Sequence, residues 1–527
     1  MPDKMAPYAY AGLGPILPPV ERALKDLDAQ DVLARMRRHD HTLWSDDPTE
    51  ITEPNRLGWL DVAGEMARQT GELRDFAASV AADGYTTAVL LGMGGSSLAP
   101  EVLYDTFGSA PDRLGLHVLD TTHPDAILGL TDTLALEKTL FIVASKSGST
   151  IETMSQFRYF WDLIPEGAHF VAITDPGSGL QRLGEEKEFR RIFLNRADIG
   201  GRYSALSYFG LVPGALIGVD LDGLLAQAGA MSSACETTGA AQSPGAWFGA
   251  VMGEAALAGR DKLTLFLPHP IDSFGAWVEQ LLAESTGKEG KGIIPIVGET
   301  PAPPSTYGPD RLFVAIGENT DLAGLEAAGH PVVQLPFDGP EQLGAEFLRW
   351  EFATAIAGQR LHINPFDQPN VQSAKDATSR ILGEGVTETP PTPSMAEVLG
   401  TLRPGDYVSI LAYLPRDHAM EQDLQALRLA IRDRYLAPTM LGFGPRYLHS
   451  TGQLHKGGPN SAVFILITDE ANRDAPVPGE EFTFDRLRNA QALGDLQSLQ
   501  AAGRRVAHVH IDGDRVYALQ ALARGLA

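Results

Sequence analysis

Only one cysteine, Cys235, stands among 527 residues. A lone thiol can form no intramolecular disulfide and leaves no cysteine set for a metal, so the cytoplasm is the expected compartment. Long apolar runs are also missing. None approaches the eighteen residues of a membrane span, and the start, MPDKMAPYAYAGLGPILPPVERAL, lacks the basic segment and apolar stretch of a signal peptide. Secretion and membrane spanning are therefore disfavoured. Positive charge is scarce as well: 42 Lys and Arg against 67 Asp and Glu give a formal charge of −25. That balance argues against nucleic acid or an anionic membrane as the main partner. An anionic substrate would have to be held locally, by backbone amides, hydroxyls and a few placed cations.

The chain has length and apolar content, 44% hydrophobic, for two to four domains. Residues 1–82 read as a helical lead-in, with apolar spacing of three and four in ALKDLDAQDVLARMRR and LDVAGEMARQTGELRDFAASVAA. From Tyr85 the pattern changes to short apolar runs, TTAVLLG, LHVLD, TLFIVAS and HFVAITD, alternating with helical stretches. This predicts a parallel sheet covered by helices over 83–220. LTLFLP, GIIPIVG, RLFVAIG and PVVQLPF predict a second such domain over 221–384. GVTETPPTPS, within 385–394, reads as a linker because its prolines deny it ladder and helix bonds. YVSILAYLP, AVFILITDE and VAHVHIDG then predict a smaller α/β unit over 395–527.

Two segments have the chemistry an anion needs. In LLGMGGSSLAP, from Leu90 to Pro100, a strand meets glycines and serines and then a helix, which brings backbone amides close to a ligand. It is neither a dinucleotide fingerprint nor a P-loop, since the three-glycine spacing and the GKS or GKT are absent. In FIVASKSGSTIET, Ser145, Ser147, Ser149 and Thr150 with Lys146 put four hydroxyls and a cation within six residues, between a strand and a helix. A plain turn and a Ser-rich cap are the bland alternatives.

SKSGST after a strand, preceded by GGSS, resembles the phosphate-binding loops of sugar isomerase (SIS) domains. Gly200-Gly201-Arg202-Tyr203-Ser204, Gln280 to Lys288 (QLLAESTGK), and Asn364 to Gln368 (NPFDQ) with Lys375 resemble further segments of the phosphoglucose isomerase family, in the same order. The resemblance implies two tandem SIS-type, flavodoxin-like α/β domains and an aldose–ketose isomerase of glycolysis and gluconeogenesis. Its substrates would be glucose 6-phosphate and fructose 6-phosphate, with no cofactor and no metal. Glu284 would be the base that moves the proton, with Gln280 one helical turn earlier on the same face. Arg202 would stabilise the enediolate. Gly95, Ser96, Ser145, Lys146, Ser147, Ser149 and Thr150 would bind the phosphate, Lys146 through its backbone amide, and Lys375 and Gln368 would contact the sugar.

The family's ring-opening histidine comes from a segment between the glutamate helix and FDQ, and only His330 and His362 stand near that interval. RYLHSTGQLHKGGPN, residues 446–460, carries the matching texture after FDQ. It resembles the isomerase half of transaldolase–phosphoglucose isomerase fusion proteins. His449 is therefore assigned the ring opening, with His455, placed among the substrate contacts, next in line for that role and a structural part for both as the bland alternative. The family's histidine is lent by a neighbouring subunit, which implies a homodimer. An isomerase with added phosphomannose activity and a sugar-phosphate-sensing module stay open as alternatives. The second needs the hydroxyl loops but neither Glu284 nor Arg202. His508-Val509-His510 is read as alternation along a strand, so a chelator should leave activity unchanged.

Overall fold

The computed structural model describes residues 5–6, 9–47, 56–236, 239–317, 321–385 and 388–526. Parts of the lead-in (1–4, 7–8 and 48–55) and of the linker (386–387) lie outside the described residues. The lead-in is largely helical, as at Leu17–Ala29, where Val20, Ala23, Leu24 and Leu27 at three- and four-residue spacing are buried. It also holds two strands that were not expected of it. β1 (Met5–Ala6) pairs with β2 (Ala9–Gly12), and β2 joins the second domain's sheet antiparallel. Four residues are too few for periodicity to announce a strand; the unpaired edge of a parallel sheet supplies the partners. Nor is the lead-in one unit. Its helix Leu17–Ala29 packs on Pro244–Leu257 of the second domain, while Thr70–Ala82 packs on Tyr208–Ile217 of the first.

β3 (Thr87–Gly92), β4 (Gly115–Leu119), β5 (Thr139–Ala144), β6 (Phe170–Thr174) and β7 (Arg191–Leu194) form an all-parallel sheet in the order β4-β3-β5-β6-β7. β8 (Lys262–Phe266), β9 (Ile294–Val297), β10 (Arg311–Ile316) and β11 (Val332–Leu335) are parallel in the order β11-β10-β8-β9, with β2 outside β11. β12 (Tyr407–Tyr413), β13 (Thr439–Phe443), β14 (Ala462–Asp469) and β15 (Arg505–Ile511) repeat the winding as β13-β12-β14-β15. Each sheet thus reverses strand order after its first strand, the flavodoxin-like arrangement, and ligands of such sheets bind beyond the carboxyl ends of the strands at that reversal. GGSS follows β3 and SKSGST follows β5, the two neighbours that flank the reversal in the first sheet.

The C-terminal unit is docked on both others. One face of its sheet packs under its own helices through Val408, Ile410 and Ile465. The other, with Tyr407, Leu411 and Phe464, packs against Ala283, Ile294 and Ile296, so it abuts the helix Phe274–Thr286 that carries Glu284. The helix Gln372–Glu384, expected in the second domain, lies instead on the helix Phe484–Ala501 of the C-terminal unit. Ile381 meets Ala490 and Leu493 there, giving its apolar stripe a surface to cover.

Candidate active site

The GGSS turn and the GGRYS turn touch backbone to backbone. A Cβ on Gly95 would lie 2.0 Å from Gly201 O, and Ser204 Oγ donates to Gly95 O at 3.2 Å. Gly94 has φ +53°, and a Cβ there would meet His449 O at 2.5 Å. Only glycine fits either position, and the close approach brings Arg202 and His449 to the end of β3.

Arg202 turns inward. Its guanidinium faces Glu284 Oε1 across 3.1 Å and donates to Gln368 Oε1 at 3.1 Å and to the carbonyls of Pro365 and Asp367, both at 2.9 Å. Gln280 Nε2 donates to Glu284 Oε2 at 3.0 Å and to His449 O at 2.7 Å, tying that carboxylate to the histidine segment. Arg202 Nε and Gln280 Oε1 are buried and find no partner among the described residues, which suits atoms that wait for a substrate hydroxyl.

On the other side of His449 lies a cavity of about 300 Å³ lined by Ser147, Ser149, Thr150, Lys375, His449 and Glu152, among others. Its hydroxyls bond chiefly to one another: Ser147 Oγ is 2.8 Å from Ser149 Oγ, and Ser145 Oγ is 3.1 Å from Thr150 Oγ1. Ser145 also accepts from the Gly148 amide at 3.1 Å, so it shapes the loop from beneath. Lys146 points elsewhere. Its ammonium is paired with Asp175 and donates to Ala197 O at 2.8 Å, leaving its backbone amide for a ligand. Burial lowers its pKa, with Asp175 opposing. Ser96 is half-buried beside Gly92 and does not line this cavity.

His449 Nε2 lies 2.9 Å from Glu152 Oε1. Burial alone would raise the Glu152 carboxyl, but the charge and hydrogen bond of His449 outweigh it and hold the pKa below the usual range. With Nε2 carrying the hydrogen of that bond, Nδ1 is the nitrogen able to exchange a proton with a ligand. Glu152, Gln280 and His449 belong to one chain, so these contacts are made within a subunit.

His455 does not line this cavity. It is 1% exposed, packs on Phe464 and Tyr447, and lies 3.4 Å from Ser409 Oγ; burial drives its pKa well below normal. Six residues beyond His449, the helix Gly452–Gly457 has turned it toward the third sheet. His330 packs on Phe313, and His362 ends the helix Leu343–Leu361 in a left-handed conformation. His508 and His510 lie on β15 and share the Thr468 hydroxyl, at 2.8 and 2.9 Å.

Two residues inside recognised segments were missed. Glu152 reads locally as an acid in the first turn of a helix, a common placement. Lys288 is 2% exposed and donates to Asn364 O at 2.7 Å and to Asp367 O and Oδ1 at 2.5 Å, clamping the turn that bears Gln368.

Residues 57–292 match the family model described as phosphoglucose isomerase. The chain is 30% identical to the glucose-6-phosphate isomerase of Rubrobacter xylanophilus over 426 residues, covering 69% of this chain and 96% of that protein. It is 28% identical to a probable glucose-6-phosphate isomerase of Haloarcula marismortui, over 71% of this chain and 93% of the relative. Among solved structures, a hypothetical protein from Thermus thermophilus aligns with TM-score 0.59 at 25% identity, over 71% of this chain and 99% of that one. A glucose-6-phosphate isomerase from Chlamydia trachomatis shares the fold, with TM-score 0.58 at 20% identity over 69% and 86%.

Proposed function

The chain belongs to the phosphoglucose isomerase family, and from that premise we propose how its residues interconvert glucose 6-phosphate and fructose 6-phosphate through a cis-enediolate. The phosphate sits on the hydroxyls of Ser147, Ser149 and Thr150 and on the amides that open the helix Ile151–Leu163, in the cavity that Lys375 also lines. Opening the pyranose breaks the C1–O5 bond. O5 gains a proton, exchanged with His449 Nδ1, while O1 loses one, and Glu152 holds the ring in place through Nε2. Glu284 then removes the C2 proton and returns it to C1 as a proton moves between O1 and O2. Arg202 lies against the same carboxylate and offers fixed charge to the enediolate oxygens.

The observation that carries this reading is the convergence of Glu284, Arg202, Gln280 and His449 within one hydrogen-bonded group beside the hydroxyl loop. Substituting Glu284→Gln is expected to lower turnover about 10²- to 10⁴-fold, the contribution of one positioned base, while fructose 6-phosphate still binds. Undiminished exchange of the C2 hydrogen with deuterated solvent would show that the base is another group. The protein works in the cytoplasm, in glycolysis and gluconeogenesis, as a homodimer whose subunits each use their own His449. Sedimentation reads its oligomeric state. No helix of the described residues is long and apolar enough to cross a membrane.

A further inference from the structure

The helix Phe484–Ala501 turns one polar face toward the histidine segment. Gln491 on that face is 2% exposed; its Nε2 donates to Glu152 Oε1 at 2.6 Å, the same oxygen that faces His449 Nε2. Its own Oε1 accepts from Thr122 Oγ1 at 2.7 Å, and Thr122 is fully buried. The carboxylate requires a donor and the hydroxyl supplies one, so the amide is held in a single orientation. One turn further, Asp495 accepts from the Tyr447 hydroxyl at 2.6 Å and pairs with Lys456 at 2.5 Å, on either side of His449 in the chain.

From this geometry we infer that Gln491 is a positioning residue for ring opening, by which the C-terminal unit fixes the carboxylate that orients His449. The inference rests on the reading of His449 given above. Glu152 is on the first domain, His449 and Gln491 on the C-terminal unit, so the relay Thr122–Gln491–Glu152–His449 forms only when the two are docked. Without the amide the buried carboxylate loses one of its two side-chain donors among the described residues. It then has freedom to turn away from the imidazole, or to take up a proton and cease to hold it. Phosphate binding and the Glu284 proton transfer use other groups and should be spared.

The test separates ring opening from proton transfer. Glucose 6-phosphate must be opened, whereas erythrose 4-phosphate, its terminal oxygen esterified, cannot close a furanose ring. In the full-length protein carrying Gln491→Met, kcat/KM for glucose 6-phosphate should fall about 10- to 100-fold, the worth of one charge-assisted hydrogen bond. Exchange of the C2 hydrogen of erythrose 4-phosphate with deuterated water should stay within about twofold. The acidic limb of the glucose 6-phosphate pH profile should move to higher pH, because the carboxylate is less stabilised as an anion. Thr122→Val, which frees the amide without removing it, should show the same selectivity with a smaller loss, about three- to tenfold, and reports even if the methionine variant folds poorly. Equal losses on both substrates, or none on either, would overturn the assignment. His449→Asn separates the two readings. Selective loss there but not in the Gln491 and Thr122 variants sinks the positioning role alone, whereas undiminished turnover of glucose 6-phosphate in His449→Asn sinks both.

Discussion

Replacing Lys288 by methionine probes the cation beneath the Gln368 turn. Methionine fills similar volume and donates nothing. Asp367 O keeps its bond from Arg202 at 2.9 Å, and the Asp367 carboxylate, whose side chain is 33% exposed, can turn to water. Asn364 O loses the 2.7 Å bond it receives from the ammonium. One orphaned carbonyl is worth roughly 1–3 kcal/mol, which is the destabilisation expected at pH 7, and kcat/KM should drop about tenfold as the turn under Gln368 loosens. The pH dependence is the sharper signature. Burial, reinforced by the charge of Arg202, pushes the Lys288 pKa from 10.5 to about 8, with Asp367 opposing. The folded value lies below the unfolded one, so between about pH 8 and pH 10.5 the unfolded chain binds more protons. Through that window this group adds stability as pH rises, by at most roughly 3 kcal/mol. Urea unfolding of both proteins from pH 7 to pH 10 should therefore show the gap between wild type and Lys288→Met widening with pH. A gap that narrows would refute the assignment of Lys288 as a buried, destabilised cation.

Two other substitutions address the frame of the site. Gly95→Ala places a Cβ 2.0 Å from Gly201 O, so the Arg202 turn must move; a loss of about 3 kcal/mol and of most activity is expected. Gly71→Ala, on the helix Thr70–Ala82 with nothing within 4 Å of the new Cβ, should instead gain about 0.5–1 kcal/mol; thermal unfolding compares the pair, and equal effects would discount the contact. Glu279, on the Glu284 helix, is pushed up to about 7 by burial, with Arg428 and Arg446 opposing. Its folded pKa is raised, so its contribution to stability falls as pH climbs from about 4.5 to 7. Glu279→Gln should stabilise by roughly 1–2 kcal/mol at pH 8 and by less at pH 5, measured by denaturant unfolding; the same gain at both would speak against a penalised carboxylate.

The parallel sheets and the two strand-to-helix loops were legible because their signals are local. An apolar run ending in GGSS or SKSGST is a strand handing over to a helix, whatever the rest of the chain does. The segments that resemble those of the family could likewise be read from order and motif. What the residues touch could not. β2 becomes a strand only because the edge of β11 is there to pair with it. His449 and His455 are equivalent as letters six apart, and the direction of a short helix sends one to the cavity and the other into the core. Glu152 meets His449 across 297 residues and Gln491 across 339. Pairings of that span leave no mark on neighbouring positions, since they depend on how the C-terminal unit docks against the first domain. The chain by itself therefore determined its three parallel sheets and the residue types on which the proposed chemistry draws. Docking alone decided which histidine faces the cavity and which groups it meets there, because hydrogen-bond geometry is a property of distances that only packing sets.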